Sequence, residues 1–528
     1  MSSLTIRRYS IFSIVLLTSI ILRAASSTPQ VKTHSGVVEG KDDGKVKSFL
    51  GIPYAQPPLG DLRWKAPVPV AKWKGVKKAS EFGSHCMQGK VFGDMVFHDP
   101  GASEDCLTLN VWVPDKHVDP KLPVMVWIYG GGFVAGTTSE ARQDGSHLAQ
   151  QGVIVVSMNY RLGVFGFFVN QELAKESGHN SAGNYGLLDQ LEALEWVHDN
   201  IAAFGGDPGN VTIFGESAGS FSVSSQMASP LAKGLFQKAI GESGAAFSRS
   251  GLSFDAMSAR AEKDTKLMKD NLGISTLAEL RAIPADKLLE AYAPPKSRGF
   301  EFGPDIDGYF LPESVPAIFA AGKQNDVAMI AGWNHDEGSF ELVFNPQKPT
   351  AESFKAQAQK DFGDKADEFL KLYPSDTPEQ LSRSAMDYAG DKFIAMSTWD
   401  WIEAQSKTGK QPIYRYRFDM APFVKDPNAP RLGAYHSAEI EYVFGQLDSK
   451  TDVTWRDSDR QISDMMQKYW STFAKTGNPN GAGLPNWPPY NMADGYPVMI
   501  LSAEPAAKKD DLRDRYLFLS KEWGKMKE

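Results

Sequence analysis

Positive charge is in short supply in this sequence: 56 lysines and arginines stand against 64 aspartates and glutamates, for a formal net charge of −8. A polyanion is held by a basic face, so nucleic acid is excluded as a partner. No internal repeat or low-complexity block is visible in the 528 residues. Beyond residue 30 no apolar run approaches the roughly 20 residues that span a bilayer, so the mature chain is expected to carry no stable membrane insertion. Acceptor sites for N-linked sugar are as scarce. Only Asn210-Val211-Thr212 fits the pattern, and it falls where a buried strand begins. That poverty favours a bacterial periplasmic origin over a eukaryotic secretory one.

The N-terminus differs from the rest. Arg7 and Arg8 precede the apolar run Ile11 to Leu22, and Ala24, Ala25 and Ser26 then offer small residues for cleavage. Residues 1–26 read as an export signal, with a membrane anchor as the alternative; the run is short for an anchor, and the arginine pair also permits a twin-arginine route. The chain is thus expected to be secreted or periplasmic. Cysteine is nearly missing, since only Cys86 and Cys106 occur. In an exported chain an even pair points to one disulfide closing a loop of about twenty residues, worth roughly 3 kcal/mol in the chain-entropy model. Two buried free thiols are the other possibility.

What is present is an ordinary globular composition, 42% apolar and 23% charged. Large α/β enzymes often keep one sheet and enlarge its loops, so 27–528 reads as a single domain despite its length. The apolar runs Leu122 to Tyr129 and Val153 to Asn159 are short, rich in β-branched residues and bounded by Gly, Pro or Asn, as buried parallel strands are. Between Asn184 and Phe204 the period changes: Leu187, Leu191, Leu194 and Ile201 recur at helical spacing, and Gly205-Gly206-Asp207-Pro208 stops the helix. A strand at Val211 to Phe214 follows. Ser248 to Pro304 is polar and helical, as an insertion or cap would be, and strands resume at Val327 to Ala331 and Ile413 to Phe418. From Asp457 to Lys475, Ile462, Met465, Met466, Tyr469 and Phe473 share one face of an amphipathic helix.

The strand at Val211 runs straight into Gly215-Glu216-Ser217-Ala218-Gly219. Strand, tight turn and helix are the setting of the nucleophile elbow of α/β hydrolases, where flanking glycines permit the reversal that exposes the serine hydroxyl. Ser217 is accordingly the expected nucleophile, and the helix opening at Ala218 points its N–H groups toward an oxyanion. Tyr129-Gly130-Gly131-Gly132-Phe133 follows another strand. Its glycines let backbone donors approach a ligand, so Gly131, Gly132 and Ala218 are the expected oxyanion hole. A serine needs a histidine base and an acid to orient it. Of nine histidines only His335 and His436 follow the elbow, as the chain order Ser, acid, His requires. His436 lies after the later strand and is the better placed; for the acid, Asp336 and Glu337 both stand just beyond Val327 to Ala331, and residue logic leaves the two open.

Further motifs make the pattern specific. Phe49-Leu50-Gly51-Ile52-Pro53-Tyr54-Ala55, Ser103-Glu104-Asp105-Cys106-Leu107, Gly205-Gly206-Asp207-Pro208, the elbow, Asp336-Glu337-Gly338 and His436-Ser437-Ala438-Glu439 occur in that order. From about residue 31 onward the chain resembles the type-B carboxylesterase family, which includes cholinesterases, bacterial para-nitrobenzyl esterases and non-catalytic adhesion relatives. The resemblance implies an α/β-hydrolase fold, a central mostly parallel sheet covered by helices on both faces, with helical insertions forming a gorge or cap. It implies Ser217 as nucleophile, Glu337 as acid, His436 as base, the same three oxyanion donors and a Cys86–Cys106 disulfide. Glu216 matches a position at the base of the gorge, and Ser243 and Glu439 match buried positions that support the histidine. Cholinesterases carry a tryptophan in the first disulfide loop, where it stacks on choline; Met87 to Asp105 holds none, which argues against a choline preference. The family's further disulfides are missing as well.

The expected activity is hydrolysis of a small-molecule ester by water through an acyl-enzyme on Ser217, a cycle that calls for no metal or organic cofactor. The same triad serves amides, carbamates and lactones, and an inactive adhesion protein shares the fold; the first is an alternative bond, the second an alternative role.

Overall fold

A computed structural model describes residues 28–116, 121–247, 254–292, 301–339, 343, 348–429 and 432–525. The signal read over residues 1–26 lies outside the described residues. Among the described residues the main sheet has eleven strands: β1 (Lys41–Asp42), β2 (Val46–Pro53), β3 (Thr108–Pro114), β4 (Leu122–Ile128), β5 (Ile154–Met158), β6 (Gly206–Glu216), β7 (Lys238–Glu242), β8 (Ala328–Asn334), β9 (Ile413–Phe418), β10 (Val498–Leu501) and β11 (Ala506–Lys508). Their order across the sheet is β11-β10-β9-β8-β7-β6-β4-β5-β3-β2-β1. Pairing is parallel from β5 through β10 and antiparallel toward both edges.

Every residue of β4, β5, β7 and β8 is buried, because a parallel sheet is covered on both faces; the strands are mainly apolar, with polar residues such as Lys238, Glu242 and Asn334 at strand ends. The cover comes from helices α1 (Tyr185–Asn200), α2 (Ala218–Ala228), α3 (Pro378–Gly390), α4 (Met396–Thr408) and α5 (Asp457–Thr476) among others. Helix α1 buries Leu187, Leu191 and Leu194. The helical pattern read through Phe204 tightens after Asn200 into a 3₁₀ turn and stops at Gly205, whose φ of 88° only glycine adopts without strain. Helix α5 buries Ile462, Met466, Tyr469 and Phe473 and leaves Met465 at the boundary. Among its described residues, the polar stretch before Pro304 contains the helices Met257–Leu272, Leu277–Ala282 and Ala285–Tyr292. Cys86 and Cys106 are joined in a disulfide. Among the described residues no helix is long and apolar enough to cross a membrane.

Strand order fixes where a ligand can sit. From β4 the chain moves to β5 on one side, then crosses back to place β6 on the other. At such a reversal the loops leaving the carboxyl ends of the two adjacent strands diverge and open a crevice. Here those loops begin at Tyr129 and Ser217.

Candidate active site

Ser217 is the single residue between the end of β6 and the start of α2, and it is held at φ 55°, ψ −122°. A non-glycine residue persists in that region only where the surroundings over-determine it. The surroundings do so here. Ser217 N–H donates to the Glu242 carbonyl at 2.8 Å and its own carbonyl accepts from Phe221 N–H at 3.0 Å. The turn is so close to β4 that a Cβ on Gly219 would lie 1.9 Å from the Ile128 carbonyl oxygen.

Beyond β4 the glycine run folds into a second tight turn. Val134 and Ala135 N–H groups both donate to the Gly131 carbonyl at 3.1 Å, and Gly131 adopts φ 103°, with room for no Cβ because Ala135 O would be 2.1 Å away. Among the described residues, the backbone N–H groups of Gly131, Gly132 and Ala218 meet no acceptor. All three residues line one cavity of about 270 Å³ together with Ser217, Glu216 and His436. Three unpartnered donors lining one cavity can receive an anion.

His436 reaches this cavity from the loop after β9. Its Nδ1 lies 2.6 Å from Glu337 Oε2, and Glu337 is 5% exposed. The other carboxylate oxygen, Oε1, accepts from Ser243 Oγ–H at 2.5 Å and from Asn334 N–H at 2.7 Å. With Oε1 taken by two donors, Oε2 is left to the imidazole, and Glu337 fixes the face that the ring presents. Nε2 is then left on the cavity side, 3.2 Å from Glu216 Oε1. Glu439 is fully buried and accepts from Asn334 Nδ2, so it touches the group that holds Glu337. Phe393 packs edge-on against the imidazole, with ring centroids 5.1 Å apart.

Burial dominates the electrostatics. It raises the carboxyls of Glu216, Glu242 and Glu439 above their ordinary range. For His436 burial works against charge, but the carboxylates of Glu216 and Glu337 outweigh it and raise the imidazole above 6.5.

Asp336 and His335 are engaged elsewhere. Asp336 accepts from Arg383 Nη1 at 2.6 Å and from Ala434 N–H at 2.9 Å, and His335 Nδ1 lies 3.1 Å from it. Burial alone would raise the Asp336 carboxyl, yet hydrogen bonds from His335 and Arg383 hold it well below the usual range. Neither residue lines the cavity. Two further residues escape sequence reasoning. Asn334 left a faint signal, a polar side chain ending an apolar strand. Phe393 left none, because it faces His436 from a π-helical turn, Asp391–Ala395, inserted between α3 and α4, and a helical periodicity of 3.6 does not register such a turn.

The cavity is lined by both aromatic and charged side chains, the charged ones including Glu140, Arg142, Asp255, Arg260 and Lys263. Phe133, Phe254, Phe302 and Phe393 contribute, and the disulfide loop supplies Phe92 and Met95.

The sequence profile of the carboxylesterase family matches residues 27–518. The chain is 39% identical over 500 residues to a para-nitrobenzyl esterase of Bacillus subtilis (strain 168), covering 91% of this chain and 96% of that protein. It is 35% identical over 484 residues to a fumonisin B1 esterase of Sphingopyxis macrogoltabida, covering 89% and 86% respectively. Among solved structures, a PNB esterase superposes with a TM-score of 0.80 at 36% identity, over 93% of this chain and 99% of that one.

Proposed function

The chain belongs to the carboxylesterase family and hydrolyses carboxylic esters, and from this premise we propose that Ser217, His436 and Glu337 are its catalytic triad. Ser217 Oγ attacks the ester carbonyl carbon while His436 Nε2 takes the hydroxyl proton. The carbonyl oxygen becomes an oxyanion, received by the N–H groups of Gly131, Gly132 and Ala218. Collapse of the tetrahedral intermediate breaks the bond to the alcohol oxygen, which leaves with the proton from His436. Water then attacks the acyl-enzyme, again giving its proton to Nε2, and the acid departs as Ser217 Oγ is reprotonated. Glu337 keeps the Nδ1–H tautomer in place and stabilises the imidazolium.

One observation carries this reading: a histidine tied through Nδ1 to a buried carboxylate opens its other nitrogen on the cavity that holds Ser217 and three unpartnered backbone donors. A fluorophosphonate probe tests it. Intact-mass and peptide analysis is expected to find one adduct per chain, on Ser217, with ester turnover lost in proportion; an adduct elsewhere with activity lost would overturn the assignment.

Glu216 faces the nitrogen that must accept the Ser217 proton, and its charge helps raise the His436 pKa. A raised histidine pKa means that kcat/KM falls as pH drops through that value, since the imidazolium cannot act as base. Removing one carboxylate lowers the histidine pKa. Glu216→Gln is therefore expected to move the acid limb of the kcat/KM profile to lower pH; an unmoved limb would uncouple Glu216 from the His436 proton.

The phenylalanines of the cavity suit an ester with an apolar or aromatic acyl or alcohol group, while Arg260 and Lys263 on the same lining leave room for a polar or acidic portion. The disulfide loop brings Phe92 and Met95 to the cavity and holds no tryptophan to stack on a quaternary ammonium. The mature enzyme acts outside the cytoplasm, a reading supported by the charged-then-apolar N-terminal segment and by the disulfide.

A further inference from the structure

Gln88, two residues after Cys86 on the disulfide loop, takes no part in the steps above, yet it is 8% exposed and fully hydrogen-bonded. Its carboxamide pairs with both backbone groups of Gly136: Gly136 N–H donates to Oε1 at 2.8 Å, and Nε2–H donates to the Gly136 carbonyl at 2.8 Å. A second Nε2 hydrogen goes to the Cys86 carbonyl at 3.1 Å. The side chain thus does for the Gly136 backbone what a neighbouring strand would do, from a loop 48 residues away in sequence.

Gly136 closes the turn that begins at Gly130. It packs so tightly there that a Cβ would lie 2.7 Å from the Gly130 carbonyl oxygen and 2.5 Å from the Tyr129 ring. The Gly130 carbonyl and the Gly131 N–H belong to one planar peptide and point in opposite directions. Whatever holds that carbonyl also aims that N–H. Flipping the peptide would turn the Gly131 donor away and bring an acceptor to the place of the oxyanion, and glycine on both sides sets little intrinsic barrier against it.

From this chain of contacts we infer that Gln88 is a positioning residue of the oxyanion hole: through Gly136 it locks the Gly130–Gly131 peptide with its N–H toward Ser217. The inference rests on the reading of Gly131 as an oxyanion donor. Gln88 touches neither His436 nor Glu337, so its loss should leave the proton chemistry alone.

The test compares Gln88→Leu and Gln88→Glu with the parent enzyme on p-nitrophenyl butyrate. Leucine removes all three bonds; glutamate keeps the size and the acceptor for Gly136 N–H but sets a carboxylate against two carbonyls, and it carries the test should the leucine variant not fold. Expected is a fall in kcat of about 10- to 100-fold, since a misaimed donor forfeits part of what a deleted one supplies. KM should change by less than about threefold, because the donor works on the transition state. An alkyl trifluoromethyl ketone, whose hemiketal oxygen occupies the same hole, should bind more weakly by the same factor as kcat falls. The acid limb of kcat/KM should stay where it is in the parent, and phosphonate titration to completion should count the same number of sites per chain. Unchanged kcat, a loss explained by a lower site count, or a ketone affinity that stays at the parental value would each overturn the inference. Ser217→Ala, run alongside, separates the two levels: turnover surviving there removes the underlying site, whereas an inert Ser217→Ala beside normal Gln88 variants removes only the role of Gln88.

Discussion

Ser217→Ala is expected to purify as a folded protein with a melting temperature close to the parent's and to lose p-nitrophenyl ester turnover by about 10⁶-fold. The fold should tolerate the change because the contacts that set the turn are made by the backbone, Ser217 N–H to Glu242 O and Phe221 N–H to Ser217 O. Alanine at φ 55° bears the same strain as serine there. Without Oγ no acyl-enzyme forms. What remains is the help that the three backbone donors and the cavity give to direct attack by water, typically on the order of 10³ over the uncatalysed rate. Long-incubation assays on the variant, quantified by protein absorbance and freed of parent enzyme by phosphonate treatment, would measure it, and turnover above a thousandth of the parent rate would exclude Ser217 as the nucleophile.

The second large effect belongs to Glu337→Gln, expected to lower kcat about 10⁴-fold with little change in KM. The reasoning is local. Oε1 accepts from Ser243 Oγ–H and Asn334 N–H, so in the variant the amide oxygen takes that side and the NH₂ group faces His436 Nδ1. Two donors cannot face each other, so Nδ1 gives up its hydrogen and the ring carries it on Nε2. That tautomer cannot take the Ser217 proton. Glu337→Asp keeps the charge one methylene short and should fall between the two. A Glu337→Gln enzyme retaining a tenth of parental kcat would mean that some other group orients the histidine.

The sheet and the serine turn were legible for the same reason, namely that the demand they place on sequence is local. A strand buried on both faces must be apolar along its length, as Leu122 to Ile128 is, and a reversal packed so that a Cβ would lie 1.9 Å from a carbonyl oxygen must use glycine, as at Gly219. The partners of Ser217 were less legible. Glu337 and His436 meet across 99 residues of sequence, and adjacent Asp336 differs only in facing Arg383 rather than the imidazole, a fact of strand register and loop path. Residue logic left Asp336 and Glu337 open, and the choice between them came from family resemblance. Phe393 and Gln88 were invisible to it, the first because a π turn alters which residue faces inward, the second because its partner is a backbone peptide, which has no sequence signature. The helices between β8 and β9, including Ala351–Phe362 and α3, also went unread, their polar outer faces masking the apolar side.

The groups proposed to be catalytic hang from the carboxyl ends of β4, β6, β7 and β8 or the loop after β9, whereas about half of the cavity lining arrives on excursions: the disulfide loop, the segment leading to Pro304 and the π turn at Asp391–Ala395. Chemistry and selectivity are therefore modular in this molecule. Drift in the excursions can exchange one alcohol or acid for another while the reacting centre stays untouched, which makes those segments the natural targets for recombination and library design.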